Sequence, residues 1–322
     1  MAHSNEAFSV LDQIRSNITP YTYFPSEETR EAYVAAVGSG MHIMLEAVPG
    51  VGKTTLAKAM SRSLNVDFSR IQGSPDMKPV HILGQYDFNP VTGERGAFMR
   101  GLIFGNIVLA DEFNRTPGPT QAAFMEAMEE GAVTTTRGEK IELPKPFLVI
   151  GTQNPHDQSE GTNEVPAANL DRFGVSFSFD KPYEENDAKR INRIDDMWAE
   201  TGGPSAVADV DDWIRAREAI VNIKKNMDDD RVRHAQFLVS AIRSHGGVDT
   251  KESLLNGFRA TRAALYLGSA ICALRDQVTL EEEHINLAMP HVIRHRLSLT
   301  FSEMKNGTTR DDIINEIITQ YS

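Results

Sequence analysis

Residues 41–55 read MHIMLEAVPGVGKTT, and this stretch decides the fold class of the chain. Its apolar start, residues 41–45, predicts a short buried strand, and Pro49, Gly50 and Gly52 interrupt that pattern. A helix is predicted to open at the Gly-Lys-Thr that follows. A strand, a glycine-bearing turn and a helix in this order are typical of a phosphate-binding loop, whereas a Gly-Lys-Thr tripeptide alone could be an ordinary helix start.

The chemistry of this stretch suits a chain of phosphates. Glycines let successive backbone N–H groups point at one anion, and the positive end of the helix adds to the attraction. Lys53 can reach the β- and γ-phosphates, and the Thr54 hydroxyl can ligate Mg²⁺. Ala47 stands where the usual eight-residue pattern has a glycine. The residues predicted to bind the nucleotide are Pro49, Gly50, Val51, Gly52, Lys53, Thr54 and Thr55.

A second informative stretch, residues 107–112, reads IVLADE. Small and apolar residues that end in two carboxylates predict a buried parallel strand with its charges at the carboxyl edge, where ligands of open α/β sheets bind. In a nucleotide site, Asp111 would hold Mg²⁺ and Glu112 would polarise the attacking water. The alternative is a pair of solvated acids at the end of a strand.

Another buried strand is predicted over residues 147–152, with Gln153, Asn154 and Pro155 at its end. If this strand is a parallel neighbour of the first, a polar side chain at its end lies beside the phosphate-binding loop. Asn154 is therefore a further candidate for the same site.

The remaining patterns outline two regions. Turn chemistry over residues 89–94 and a glycine-containing hairpin over residues 133–143 belong to the first. The segment 201–205, TGGPS, is the best linker candidate, and only helical patterns follow it. One of those helices is predicted to start at Thr279, where the spacing fits a capping box. His291 and His295 are four residues apart, but without acidic partners a charged helix face is favoured over a metal pair.

Composition narrows the function classes. The chain has 322 residues, a net charge of −12 and a pI near 5.3, which argue against a generic nucleic-acid-binding surface. Its single cysteine, Cys272, lies in an apolar stretch and is expected to be a buried thiol. The sequence shows no signal peptide and no run of 18 apolar residues, so a cytoplasmic protein is expected.

Four motifs in order resemble the AAA+ ATPases, and within them the MoxR family. They are Gly50-Val51-Gly52-Lys53-Thr54, Val108-Leu109-Ala110-Asp111-Glu112, Gln153-Asn154-Pro155 and Leu170-Asp171-Arg172-Phe173. The resemblance is dense over residues 45–173 and thinner in the helical tail, where residues 257–260 and 292–296 echo the family. The sequence before the first strand lacks the Val-Gly-Gln usual there, so the resemblance assigns no contacts to the adenine base.

The resemblance implies roles for three further residues. Asn154 matches the sensor-1 position, which places the attacking water near the γ-phosphate. Arg172 matches the arginine finger, which acts on the site of the next subunit, and Arg259 matches the sensor-2 arginine. The implied catalytic residues are Lys53, Glu112, Asn154, Arg172 and Arg259, with Thr54 and Asp111 as ligands of Mg²⁺.

The resemblance also implies an architecture and partners. Residues 1–202 would form an α/β domain, a three-layer P-loop sandwich around a parallel five-stranded sheet, and residues 203–322 an all-helical lid. The chain would bind ATP and Mg²⁺ and assemble into a homo-hexameric ring. Its implied role is that of a chaperone that remodels, matures or inserts a metal into a client, often together with a von Willebrand A-domain protein.

Three alternatives stay open at the level of sequence. One is an ATPase dedicated to a single assembly, of the rubisco-activase or gas-vesicle type. Another is a DNA-stimulated AAA+ motor, against which the net charge of −12 argues. The last is a scaffold that binds ATP without hydrolysing it, for which Glu112, Asn154 and Arg172 would be unnecessary.

Overall fold

The structure of the chain, a computed structural model, describes residues 2–47, 50, 52–88, 95–154, 165–179 and 185–321. The helices are α1 (Ala2–Ile18), α2 (Glu27–Ser39), α3 (Lys53–Ser63), α4 (Pro79–Leu83), α5 (Gly118–Glu130), α6 (Ala167–Leu170), α7 (Glu185–Thr201), α8 (Val210–Lys225), α9 (Asp229–Ser244), α10 (Arg259–Leu274), α11 (Glu282–Ile293), α12 (Phe301–Asn306) and α13 (Arg310–Tyr321). The strands are β1 (Ile43–Glu46), β2 (Phe68–Gln72), β3 (Gly84–Phe88), β4 (Arg95–Arg100), β5 (Ile107–Asp111), β6 (Ala132–Thr134), β7 (Lys140–Glu142), β8 (Leu148–Gln153) and β9 (Val175–Ser178).

Five strands form one parallel sheet in the order β2-β5-β8-β1-β9. The predicted five-stranded parallel sheet is therefore confirmed. Because β8 lies between β1 and β5, the carboxyl ends of these three strands meet at one edge. The phosphate-binding loop follows β1 and the acidic pair follows β5, so the topology gathers the motifs that are distant in the sequence.

Each face of the sheet carries its own hydrophobic core. Alternate residues of a strand point to opposite faces, and β1, β5 and β8 carry apolar residues on both. In β1, Ile43 and Leu45 join a core with α1, α2 and α3, whereas Met44 joins a core with α5. Helices thus cover both faces, which gives the three-layer sandwich expected for this fold class.

The helices after residue 202 pack on the N-terminal helices. Trp213 of α8 donates from Nε1 to the Val37 carbonyl at 2.9 Å, and the Tyr266 hydroxyl of α10 donates to the Ser39 carbonyl at 3.0 Å. The Arg275 guanidinium forms a two-pronged ion pair with Glu31. One hydrophobic core includes side chains from both regions, so the boundary at residue 202 stays a prediction.

Local chemistry explains both ends of α2. The Ser26 hydroxyl accepts a hydrogen bond from the Thr29 N–H at 3.1 Å and begins α2, as its residue type predicts. Gly40 ends that helix at a φ of 71°, which a side chain rarely adopts. The predicted start at Thr279 is wrong, because α11 begins at Glu282 and the Glu281 N–H donates to His284 Nδ1. The sequence patterns also do not predict α8, α12 or α13.

Two hairpins stand beside the main sheet. The predicted hairpin is confirmed as β6 and β7, and β3 pairs with β4 in a second one. Tyr86 of β3 joins the two hairpins, because its hydroxyl donates to the Glu139 carboxylate and Arg137 lies 3.8 Å from its ring centre. The predicted turn at residues 89–94 lies outside the described residues.

The structure shows that His291 and His295 do not form a charged helix face. Both are only 7% exposed. The His291 ring packs on Phe177 with ring centres 4.6 Å apart, and His295 Nε2 donates to the Phe173 carbonyl at 3.0 Å. Burial lowers the pKa of His291 to about 3, and burial next to Arg296 lowers the pKa of His295 well below its usual value. The prediction was wrong because the absence of acidic partners argues only against a metal pair, whereas packing on β9 and the segment before it decides the environment of the rings.

We expect these two histidines to make the free energy of unfolding fall in acid. Their pKa is near 6.5 in the unfolded chain and lower in the folded one, so below pH 6.5 the unfolded state binds more protons. The stabilisation that comes from these buried rings is therefore fully present above pH 6.5, and it is lost as pH falls towards the pKa values of the folded protein. From pH 7 to 5.5 the unfolding free energy should drop by about 1 kcal/mol per histidine. Denaturant unfolding of the wild type and of His291→Gln measures this, and the variant should have the smaller dependence on pH.

The exposed His81 supplies a matched control. His81→Gln should keep the pH dependence of the wild type. An equal dependence in wild type and His291→Gln would show that this ring does not stay neutral in the folded protein.

The single cysteine lies where expected. Cys272 is a buried free thiol, and burial raises its pKa to about 12. Within the described ranges of the chain, no helix has the length and the apolar character needed to cross a membrane.

Candidate active site

A cavity of about 670 Å³ opens at the carboxyl edge of the main sheet. It brings together side chains from the phosphate-binding loop, from the ends of β5 and β8, and from the segments before α2 and within α7. The lining residues are Tyr21, Thr22, Tyr23, Gly50, Gly52, Lys53, Thr54, Thr55, Asp111, Glu112, Asn114, Arg115, Thr152, Asn154, Ile191, Ile194 and Asp195.

The phosphate-binding loop has the conformation that its glycines allow. Gly50 and Gly52 have φ angles of 92° and 81°, and an added Cβ at Gly50 would meet no atom within 4 Å. Glycine is needed there for its backbone angle, not for space. Gly52 caps α3, so Lys53 begins the helix and its N-terminus faces the cavity. Pro49 and Val51, also predicted to bind the nucleotide, lie outside the described residues.

Ala47 fits because it continues the sheet. Its N–H donates to the Gln153 carbonyl at 3.2 Å, which extends the ladder between β1 and β8 by one bond. Its side chain is fully buried in the core, and its φ angle is not positive. An alanine is therefore compatible with the backbone here, although the usual pattern has a glycine.

The Lys53 side chain lines the cavity and is held there by a hydrogen bond. Its Nζ donates to the Ala47 carbonyl at 2.8 Å. Partial burial lowers the pKa of this amine, and the charges of Asp111 and Glu112 counteract that effect. Lys53 thus carries a poorly hydrated positive charge close to two carboxylates, which is suited to binding an anion such as a phosphate.

Asp111 is fixed from two sides. The Thr152 hydroxyl of β8 donates to its Oδ1 at 2.8 Å, and Arg70 of β2 donates to its Oδ2 at 2.6 Å. Thr152 also accepts a hydrogen bond from the Glu112 N–H at 2.9 Å. This one buried hydroxyl therefore orients both members of the acidic pair. The contacts of Thr152 and Arg70 cannot be predicted from the sequence, because they depend on the strand order.

The backbone turns sharply at the second carboxylate. Glu112 has a φ of 53°, which is uncommon for a residue other than glycine, asparagine or aspartate. Its carbonyl oxygen would lie 2.2 Å from a Cβ at Gly73, so only glycine allows β2 to approach this turn. The turn places the Glu112 side chain in the cavity, 3.3 Å from the Arg115 guanidinium.

The other predicted residues fall into two places. Thr54, Thr55 and Asn154 line the same cavity as Lys53 and the acidic pair. Arg172 and Arg259 line a different cavity, of about 360 Å³, whose acidic lining residues are Glu129 and Asp171. Its positive side chains are one lysine and four arginines: Lys224, Arg172, Arg259, Arg262 and Arg296. The structure does not bring the two predicted arginines to the phosphate-binding loop of their own chain.

This fold and this site define a class of protein. A parallel sheet with a phosphate-binding loop after β1, an acidic pair after β5 and an asparagine after β8 is the arrangement of a P-loop nucleotide-binding protein of the AAA+ type.

Comparisons with known proteins agree with this class. A family model described as the ATPase family associated with various cellular activities (AAA) matches residues 42–175. Protein YeaC of Bacillus subtilis, described as uncharacterized, is 35% identical over 288 residues, which are 89% of this chain and 86% of that protein. Chaperone MoxR1 of Mycobacterium tuberculosis is 30% identical over 280 residues, 86% of this chain and 73% of that one.

A solved structure agrees on the fold. The crystal structure of a candidate ATPase from Cytophaga hutchinsonii superposes with a TM-score of 0.83 at 24% identity, over 100% of this chain and 97% of that one.

The chain belongs to the MoxR family of AAA+ ATPases.

Proposed function

We propose that the chain hydrolyses ATP with Mg²⁺ at a site shared between two subunits. The observation that carries the proposal is the separation of the predicted groups into two cavities. Lys53, Thr54, Asp111, Glu112 and Asn154 line one of them. The predicted finger Arg172 lies in another, together with Arg259. A complete set therefore requires a second copy of the chain.

The residues of the first cavity fit a magnesium nucleotide. The hydroxyl of Thr54 and the carboxylate of Asp111 are the hard oxygen ligands that Mg²⁺ prefers. When bound, Mg²⁺ would neutralise charge on the phosphates. Lys53 would bind the β- and γ-phosphates, Glu112 would accept a proton from the attacking water, and Asn154 would hold that water in place.

The structure also suggests where the base binds. Tyr21, Thr22 and Tyr23 line the cavity from the segment before α2, and Ile191 and Ile194 line it from α7. Aromatic and aliphatic side chains suit the flat, apolar faces of a purine. We therefore assign these residues to the base, a contact that the sequence motifs leave open.

The proposed assembly is a homo-hexameric ring. Arg172 and Arg259 line the second cavity and not that of their own phosphate-binding loop, and Glu129 pairs with both. A neighbour's γ-phosphate would replace this carboxylate as the anion between them. Each nucleotide would then be bound by one subunit and completed by the next, so that hydrolysis depends on assembly.

The proposed role is chaperone-like remodelling or maturation of a client protein in the cytoplasm. It rests on family membership and on the relative named a chaperone. A von Willebrand A-domain protein as partner, metal insertion into the client, and an α/β domain to residue 202 with a lid after it remain parts of this proposal. The alternative function, from another class, is a DNA-stimulated motor. Duplex DNA added to the hydrolysis assay distinguishes the two, because only a DNA motor should hydrolyse ATP faster in its presence.

Replacing Lys53 by Ala should abolish ATP binding and hydrolysis while the fold persists. The reason is that, of the described residues that line the cavity, Lys53 is the only lysine. Equilibrium binding of a fluorescent ATP analogue with and without Mg²⁺ measures the loss, and circular dichroism checks the fold. The matched control is Lys58→Ala, an exposed position on the same helix, which should bind like the wild type. Unchanged binding by Lys53→Ala would refute the assigned site.

A further inference from the structure

Two arginines of the second cavity, Arg172 and Arg259, are held together by carboxylates. Glu129 of α5 accepts from Arg172 Nε at 3.1 Å, and its other oxygen lies 3.5 Å from an Arg259 nitrogen. Asp171 Oδ2 lies 3.3 Å from a second nitrogen of Arg259. Arg172 follows β8 and α6 in the sequence, whereas Arg259 begins α10, so this cluster joins the sandwich to the C-terminal helices.

Arg296 fixes one of these carboxylates from the core. Its side chain is 2% exposed, and its Nε donates to Asp171 Oδ1 at 2.8 Å. The remaining donors reach backbone carbonyls at 2.6 to 3.1 Å, those of Asp171, Phe173, Gly174 and Val292. A buried guanidinium is costly unless it is fully paired, so this one is expected to stay where it is. Its partner Asp171 is thereby fixed as well.

The two carboxylates differ in how easily they can be displaced. The Glu129 side chain is 49% exposed and has no such support, so a phosphate can take its place. The Asp171 side chain is 19% exposed and is anchored by Arg296. When an anion replaces Glu129, Asp171 still holds Arg259, and the chain that leads into Arg172 is still held by its carbonyl bonds to Arg296.

We propose that Asp171 and Arg296 are positioning residues that hold Arg172 and Arg259 as one rigid pair aimed at the nucleotide of the neighbouring subunit. The inference rests on the proposed shared site. Long arginine side chains lose much rotational freedom when they bind a phosphate, and a cluster formed beforehand removes that cost from the reaction. The pair links the sandwich to the C-terminal helices, so their relative position would control turnover.

The test is Asp171→Asn in the assembled protein. The variant keeps the shape of the side chain and removes the charge that holds Arg259. We expect kcat for ATP to fall about tenfold or more, while the KM for ATP, set by the other cavity, stays within about twofold. In an Arg259→Ala background the same substitution should change kcat by less than about twofold, because there the residue it positions is already missing.

Asp311→Asn is the matched control. Asp311 forms a two-pronged ion pair with Arg294, two residues before Arg296, and does not line the second cavity. It should lower thermal stability at most and leave kcat unchanged. If Asp171→Asn does not give a folded ring, Arg296→Lys takes its place, since lysine keeps the charge but loses the fork, and about tenfold lower kcat is again expected.

The outcomes distinguish a failure of the positioning role from a failure of the shared site. A kcat of Asp171→Asn within twofold of the wild type, an effect that adds fully to that of Arg259→Ala, or an equal loss in Asp311→Asn would overturn the positioning role. A wild-type protein without turnover, or an active Arg172→Ala protein, would overturn the shared site and this inference with it.

Discussion

Replacing Arg172 by Ala is expected to lower kcat for ATP by about 10³- to 10⁵-fold while the affinity for ATP stays nearly unchanged. Arg172 lies outside the cavity of its own phosphate-binding loop, so its loss leaves the binding residues intact. It would act only on charge that develops at the neighbour's γ-phosphate during the reaction. Phosphate release measures turnover, and equilibrium binding of a fluorescent ATP analogue measures affinity.

Mixing two inactive variants tests whether this arginine acts between subunits. Arg172→Ala has an intact Glu112, and Glu112→Gln has an intact Arg172. In a random ring made from equal amounts, about a quarter of the interfaces combine the two intact residues, so turnover should reappear. Arg243→Ala, at an exposed position of α9, is the control and should behave like the wild type. Normal turnover by Arg172→Ala alone would show that the finger is assigned wrongly.

Replacing Glu112 by Gln should lower kcat by about 10²- to 10⁴-fold and trap ATP in the site. The amide keeps the size of the side chain and its place after β5, but it cannot accept a proton from water. The Glu112 N–H would still donate to Thr152, so the sharp turn and the position of Asp111 should persist. The expected result is a ring that stays loaded with ATP, measured by light scattering and by the nucleotide retained after gel filtration.

The trapped ring also addresses the client. A chaperone that grips its client in the ATP state should retain that client in the Glu112→Gln form and lose it in the Lys53→Ala form, which cannot load ATP. Glu126→Gln, an exposed position on α5, is the control that should cycle normally. Rapid hydrolysis by Glu112→Gln would exclude this residue as the proton acceptor.

The sequence alone determined the residues that local chemistry defines. Glycines ahead of Lys53, two carboxylates after an apolar strand, and Asn154 at the end of another strand are recognisable because each motif lies within a few residues. Apolar runs with polar ends likewise predicted buried parallel strands, whereas the number of five strands followed from the family resemblance. Uninterrupted apolar runs with polar ends are what a sheet buried on both faces requires.

The tertiary structure alone decided what depends on contacts between distant segments. Thr152 reaches Asp111 because β8 lies next to β5, and no local pattern reports that neighbour. The pKa values of His291 and His295 are lowered because both rings are buried against β9 and the segment before it, and no local pattern reports that packing. Packing sets the environment of a side chain, and the spacing of residues along the chain does not contain that information.

The second cavity illustrates the same division. The family resemblance of the segments around Arg172 and Arg259 implied, for each of them, an arginine that acts on a phosphate. Only the packing of the C-terminal helices on α1 and α2 brings the two together, 87 residues apart in the chain, around Glu129 and Asp171. Local sequence thus indicated which side chains are candidates for a nucleotide site, and tertiary packing decided which of these candidates lie together.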